Sequence, residues 1–173
     1  ENAPNDTTNQ LAKPSHPMQK QLQKQIIPLL KTLKQPQPNL GIGAGGDQIK
    51  QIDLTAENAI INTLKNHKIS FTLISEESGV KEYGKTPYKH YVTADPIDGT
   101  TNLTRGISFY ATSIAASTKP TLNTIHTALV ADLYHDVTYT AQKGKGAHRN
   151  NKKIIPSKEE SLEEAVIGMD INT

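Results

Sequence analysis

The stretch Tyr91-Val92-Thr93-Ala94-Asp95-Pro96-Ile97-Asp98-Gly99-Thr100-Thr101-Asn102 reads as a short strand that ends in acid and turns at once into a helix. Pro96 fixes its own backbone angle, so Asp95 and Asp98 can face one point with the Ile97 carbonyl between them. Gly99 permits a tight turn. Thr100 and Thr101 then open a short helix whose free N–H groups point towards an anion. One segment therefore offers cation ligands beside a phosphate cradle. Phosphoryl transfer needs that adjacency, because charge must be withdrawn from the same group that is being held.

Working outward, two further acidic clusters precede this stretch. Residues 69–74 alternate in polarity and predict a strand that runs into Ser75-Glu76-Glu77-Ser78-Gly79. A polar loop with Gly84 and Pro87 separates it from Tyr91. Earlier still, the run Ile49 to Ile52 reads as an extended segment delivering Asp53. A helix follows from Leu54, with Ala56, Ala59, Ile60, Thr63 and Leu64 on one face and Asp53 as its N-cap. Asp53, Glu76-Glu77 and Asp95 with Asp98 thus all fall at predicted strand ends, which converge at the rim of a sheet. Carboxylates ~4 Å apart repel by roughly 4 kcal/mol at an effective dielectric of about 20. A cation relieves that repulsion, and an all-oxygen donor set suits Mg²⁺.

The rest of the chain predicts the setting. Residues 1–17 are polar, carry three prolines and read as a disordered leader. Met18 to Leu33 has helical periodicity, interrupted by Pro28 and closed by Pro36 and Pro38. Downstream, strands are expected at 108–117, 124–133 and 136–141, with Tyr134-His135-Asp136 linking the last two as a hairpin. Gly144 to Ala147 and Asn150-Asn151 mark turns. A capped acidic stretch runs from Ser157 to Glu164, and Ala165 to Met169 reads as the start of a strand. Helices and strands without a regular βαβ rhythm predict α+β, or a layered α/β sandwich.

Composition narrows the function classes. The 173 residues suffice for one ordinary domain, and the net charge of +2 gives no electrostatic case for nucleic-acid or membrane partners. Cysteine is absent, which removes thiol nucleophiles, thiolate metal sites and disulfides, and fits a cytoplasmic setting. No apolar run approaches the ~20 residues of a membrane span. The sequons at Asn5 and Asn102 are read as chance. The chain opens on Glu1 rather than Met, as a processed start or a fragment does. Gly41-x-Gly43-x-x-Gly46 matches a dinucleotide fingerprint literally, yet no apolar strand precedes it and no helix opens at it, so that reading fails. The six histidines lack metal-ligand spacing. Lys143, Lys145, His148, Arg149, Lys152 and Lys153 form a basic run without interleaved aromatics, read as a solvated hairpin.

Ala94 to Asn102 resembles the signature of the inositol monophosphatase family almost letter for letter. Ser75-Glu76-Glu77-Ser78 resembles its Gly-Glu-Glu loop with Ser75 for glycine, and Ile52-Asp53 followed by Ala56-Glu57 resembles its first acidic motif. Gly41-x-Gly43-Ala44 looks like the archaeal members, which act on both fructose-1,6-bisphosphate and inositol monophosphate. Ala141-x-x-Gly144-Lys145-Gly146-Ala147-x-x-Asn150 also matches.

The resemblance implies an α+β fold, a layered αβαβα sandwich, of which residues 18–173 are the N-terminal metal-binding portion. It implies Mg²⁺-dependent hydrolysis of a sugar or polyol phosphate, with two or three ions. Glu76, Asp95, the Ile97 carbonyl and Asp98 would bind metal. Glu76 and Thr100 would position and activate the attacking water, with Asp53 supporting Thr100 or holding a further metal. Asp98, Gly99, Thr100 and Thr101 would hold the phosphate. No covalent intermediate is implied, and family members are often homodimers. Two departures stand out. The chain has no Trp and so lacks the Trp-Asp motif of the family's second half, and Ile49 and Lys50 stand where a threonine is usual. The alternatives are a 3′-phosphoadenosine 5′-phosphate phosphatase, or a module that keeps metal and phosphate without turnover.

Overall fold

The computed structural model describes residues 51–87 and 90–168. The expected leader, the helix over Met18 to Leu33 and the Gly41–Gly46 turn lie outside the described residues.

Helix α1 spans Gln51–Asn66 and buries Ile52, Ala56, Ala59, Ile60 and Leu64. These positions recur at helical spacing and form one stripe. Each fully buried Ile or Leu contributes about 1.5–3 kcal/mol. The stripe packs with Phe71, Leu73, Val92 and Ala94 of the sheet into a single core. Lys68 ends the helix at φ 57, letting the Ile69 N–H reach back to the Leu64 carbonyl.

The described residues form eight strands: β1 (Phe71–Ser75), β2 (Gly79–Tyr83), β3 (His90–Asp98), β4 (Ala111–Ser117), β5 (Ile125–Asp132), β6 (Val137–Gln142), β7 (Gly146–Arg149) and β8 (Lys152–Ile154). They form one sheet in the order β2-β1-β3-β4-β5-β6-β7-β8. Among the described residues only β1 and β3 pair in parallel; every other neighbouring pair is antiparallel. That exception positions the site. Ser75 pairs with Ala94, so the strands finish at the same edge and Glu76 emerges beside Asp95. A short helix α2, Thr100–Arg105, leaves the end of β3.

Several sequence expectations are corrected. Asp53 is not an N-cap at a strand end: α1 already includes Gln51, which places Asp53 inside its first turn. The polar loop expected after Gly79 contains β2, whose exposed Val80, Lys81 and Glu82 mask a strand at the sheet edge. β3 runs through Pro96 to Asp98 instead of ending at Asp95, because a bulge takes the proline out of the hydrogen-bond ladder. The expected turn at Gly144–Ala147 gives way to β7 from Gly146, and Asn150 and Asn151, both at positive φ, form the tight turn that joins β7 to β8 as a hairpin. Residues 165–168 carry no strand.

Candidate metal and phosphate site

The acidic residues meet where β1 and β3 end. A cavity of about 480 Å³ is lined by Asp53, Glu76, Glu77, Asp95, Ile97, Asp98, Gly99, Thr100, Thr101 and Asn102. Every site residue expected from sequence lies in that lining. Glu77 and Asn102 join them without having been assigned a role.

Three local devices build the basin. The first is the parallel register, which sets Glu76 and Glu77 next to Asp95; the Glu76 N–H also donates to the Ala94 carbonyl at 3.4 Å. The second is the β3 bulge: Asp95 pairs with Ser113 and Asp98 with Ala111, so Pro96 and Ile97 together oppose Thr112. The third is the left-handed Gly99, at φ 87 and ψ 35, which turns β3 into α2. A Cβ there would lie 2.9 Å from the Phe109 carbonyl oxygen, so only glycine fits. Asn102 Nδ2 donates to that same carbonyl at 2.8 Å and holds the returning chain against the turn.

Asp53 reaches the basin from α1. It is 1 % exposed, and the Thr100 hydroxyl donates to its Oδ1 at 2.8 Å. Thr100 Oγ1 also lies 2.9 Å from the Ile97 carbonyl. A hydroxyl has one proton to give, and an ionised carboxylate is the stronger acceptor. Glu57 follows Asp53 by one helical turn and is also buried, at 3 % exposed. Its spacing from Asp53 was readable in the sequence; its burial was not.

The electrostatics are one-sided. Burial pushes Glu77 up to about 7, and Asp53, Glu76, Glu57 and Asp95 add like charge. Asp95 is pushed up to about 7 by burial first, then by Glu76 and Asp98 and by a hydrogen bond shared with Glu76; the Ile97 backbone N–H pulls the other way. Among the described residues the lining contains no basic side chain. Among the described residues no group of three Asp, Glu, His or Cys side chains closes on one point as a ready-made ion cage. An acid-rich, all-oxygen basin with no basic side chain in its lining still fits Mg²⁺. That ion is held by one or two carboxylates plus waters and substrate oxygens, not by an all-protein cage. The donor set does not favour a softer metal, since among the described residues neither thiolate nor imidazole lines it.

The family model described as "Inositol monophosphatase family" matches residues 13–172. The chain belongs to the inositol monophosphatase family. It is 34% identical over 160 residues to the fructose-1,6-bisphosphatase/inositol-1-monophosphatase of Methanothermobacter thermautotrophicus, covering 87% of this chain and 56% of that protein. It is 33% identical over 167 residues to the bifunctional NADP phosphatase/NAD kinase of Methanococcus maripaludis, covering 87% of this chain and 29% of that protein. A solved Pyrococcus horikoshii protein with similarities to inositol-1 monophosphatase superposes with a TM-score of 0.70 at 25% identity, covering 88% of this chain and 56% of that one. The crystal structure of an inositol monophosphatase-fructose 1,6 bisphosphatase superposes at 0.68 with 27% identity, covering 90% and 62%. The chain thus has the α+β inositol monophosphatase fold and spans little more than half the length of these relatives, or less. Family members depend on a metal ion. Among the described residues no helix is long and apolar enough to cross a membrane.

Proposed function

We propose that this chain carries the metal- and phosphate-binding machinery of a Mg²⁺-dependent phosphomonoesterase acting on a sugar or polyol phosphate. The observation that carries the reading is the convergence of Asp53, Glu76, Glu77, Asp95 and Asp98 with the Gly99–Thr101 turn on one basin. Acids alone would be a costly liability. Acids beside an anion cradle make sense together once cation and phosphate arrive as a pair.

Glu76, Asp95, the Ile97 carbonyl and Asp98 would hold two or three Mg²⁺ ions. The bound metal would neutralise phosphate charge and lower the pKa of a coordinated water. The chain's own groups do the rest. The backbone N–H groups of Gly99, Thr100 and Thr101 orient the phosphoryl oxygens, and Asp98 bears on them through the cation it would share with the phosphate. Glu76 positions the attacking water. Thr100 Oγ1 accepts from that water while its own proton rests towards Asp53 Oδ1, 2.8 Å away. Burial of Asp53 keeps that acceptor dry and fixed. Substrates named for relatives guide the choice of ester: inositol monophosphate and fructose-1,6-bisphosphate first. The 33% identity to an NADP phosphatase adds a nucleotide phosphate as a second reading. Likeness to the family supports a homodimer and a cytoplasmic setting.

The test is phosphate release with Mg²⁺ or with EDTA, using the protein extended to the end of its natural reading frame. Inositol monophosphate, fructose-1,6-bisphosphate, NADP and 3′-phosphoadenosine 5′-phosphate form the panel. Mg²⁺-dependent release from a sugar or polyol ester is expected. Mg²⁺ binding without release from any of them would leave a binding module in place of an enzyme.

A further inference from the structure

The bulge in β3 needs something to hold it open. Pro96 and Ile97 oppose Thr112 of β4, because the pairing jumps from Asp95–Ser113 to Asp98–Ala111. The two bulged residues send their carbonyls in different directions. The Ile97 carbonyl turns towards the basin, within 2.9 Å of Thr100 Oγ1. The Pro96 carbonyl turns into the sheet, where the Thr112 hydroxyl donates to it at 2.7 Å. Thr112 is fully buried, at 0 % exposed, and lies outside the cavity lining.

We propose that Thr112 is a positioning residue: its hydroxyl locks the Pro96 carbonyl inward, which turns the Ile97 carbonyl outward and sets the spacing of Asp95 and Asp98 around the cation. The inference rests on the Mg²⁺ reading of the basin. Flipping the Pro96–Ile97 peptide would swing the Pro96 carbonyl away from Thr112 and turn the neighbouring donor set with it. A buried carbonyl left without its donor strongly favours any rearrangement that finds water or another partner. The bulge has such an outlet, because its Ile97 lines the open basin. Thr112 touches no part of the cavity, so its effect runs through the ligands and not through substrate.

Thr112→Val removes the hydroxyl and keeps the shape, whereas Thr112→Ser keeps the hydroxyl and drops a methyl. Mg²⁺ affinity is measured by titration calorimetry on the protein carried to the end of its reading frame, with kcat and KM measured alongside. Thr112→Val is expected to weaken Mg²⁺ binding about tenfold, as loss of partners that orient metal ligands does. KM for the phosphate ester at saturating Mg²⁺ should stay within about twofold, and Thr112→Ser should restore Mg²⁺ affinity. If the valine variant does not fold, Thr112→Ala carries the same expectation. Wild-type affinity in a folded Thr112→Val or Thr112→Ala protein overturns the inference alone, as does a serine variant as weak as valine. No Mg²⁺ binding by the wild type overturns the reading of the basin, and the inference with it.

Discussion

The Thr100 hydroxyl and the Asp53 carboxylate, 2.8 Å apart, join two helices that are otherwise separate in the chain: α1, which covers the sheet, and α2, which begins the anion turn. The pair spans 47 positions of sequence and is buried at its Asp53 end. Its geometry gives Thr100 one strong direction for its proton and leaves a lone pair for the basin. Asp53→Asn is expected to lower kcat by about 10²–10⁴-fold, the range for a lost proton acceptor, with KM changed far less. Thr100→Val should do the same, and the double variant should be no slower than the worse single one. Steady-state kinetics on the three proteins checks this; additive losses would show that the residues act separately.

Glu77 and Asp95 both keep their protons up to pH of about 7 in the folded chain. In an unfolded chain such groups ionise near pH 4. Between those values the folded state binds more protons, so the metal-free protein loses stability as pH rises from about 4 through 7. Thermal melts in EDTA should therefore show a lower midpoint at pH 8 than at pH 5. Added Mg²⁺ should reverse the loss at pH 8 and do little at pH 5, where the protons compete with it. A midpoint that rises with pH in EDTA contradicts this account of the basin.

Gly99 sits at φ 87, and a Cβ would meet the Phe109 carbonyl at 2.9 Å. Gly99→Ala combines strain with a backbone clash, for about 1–3 kcal/mol of lost stability. Displacement of the turn should also weaken binding of inorganic phosphate in the presence of Mg²⁺, by roughly tenfold if about one hydrogen bond is lost. Denaturant unfolding and phosphate titration measure the two effects separately.

The candidate site was legible as a cluster because much of it is local. Asp95 to Thr101 places ligands, carbonyl and turn within one segment, and its neighbours in space follow from the strand that precedes it. Asp53 lines the basin with the other acids, but from a helix and not from the expected strand end. A single acid before an apolar stripe looks the same as an N-cap, and Ile52, which belongs to the buried stripe of α1, reads equally well as the end of an extended run. β2 was missed because an edge strand needs little to bury, and Gly79-Val80-Lys81-Glu82-Tyr83 leaves its middle exposed. Thr112 could not have been found at all. A threonine in a strand carries no sign that it faces a bulge 16 residues earlier. The raised Glu77 and Asp95 carboxyls likewise depend on the parallel register of β1 and β3, which no spacing in the sequence records.

The most direct test of the central claim compares wild type with Asp98→Asn, both extended to the end of the natural reading frame. Phosphate release from inositol monophosphate and fructose-1,6-bisphosphate is followed as Mg²⁺ is titrated. Asp98 is exposed at the strand end, so the substitution should leave the fold intact while removing one ligand charge. The expected result is Mg²⁺-dependent turnover by the wild type and a loss of about 10²-fold or more in the variant at the same Mg²⁺. An Asp98→Asn protein with the wild-type rate and the wild-type Mg²⁺ dependence would contradict the assignment of this basin as the metal site.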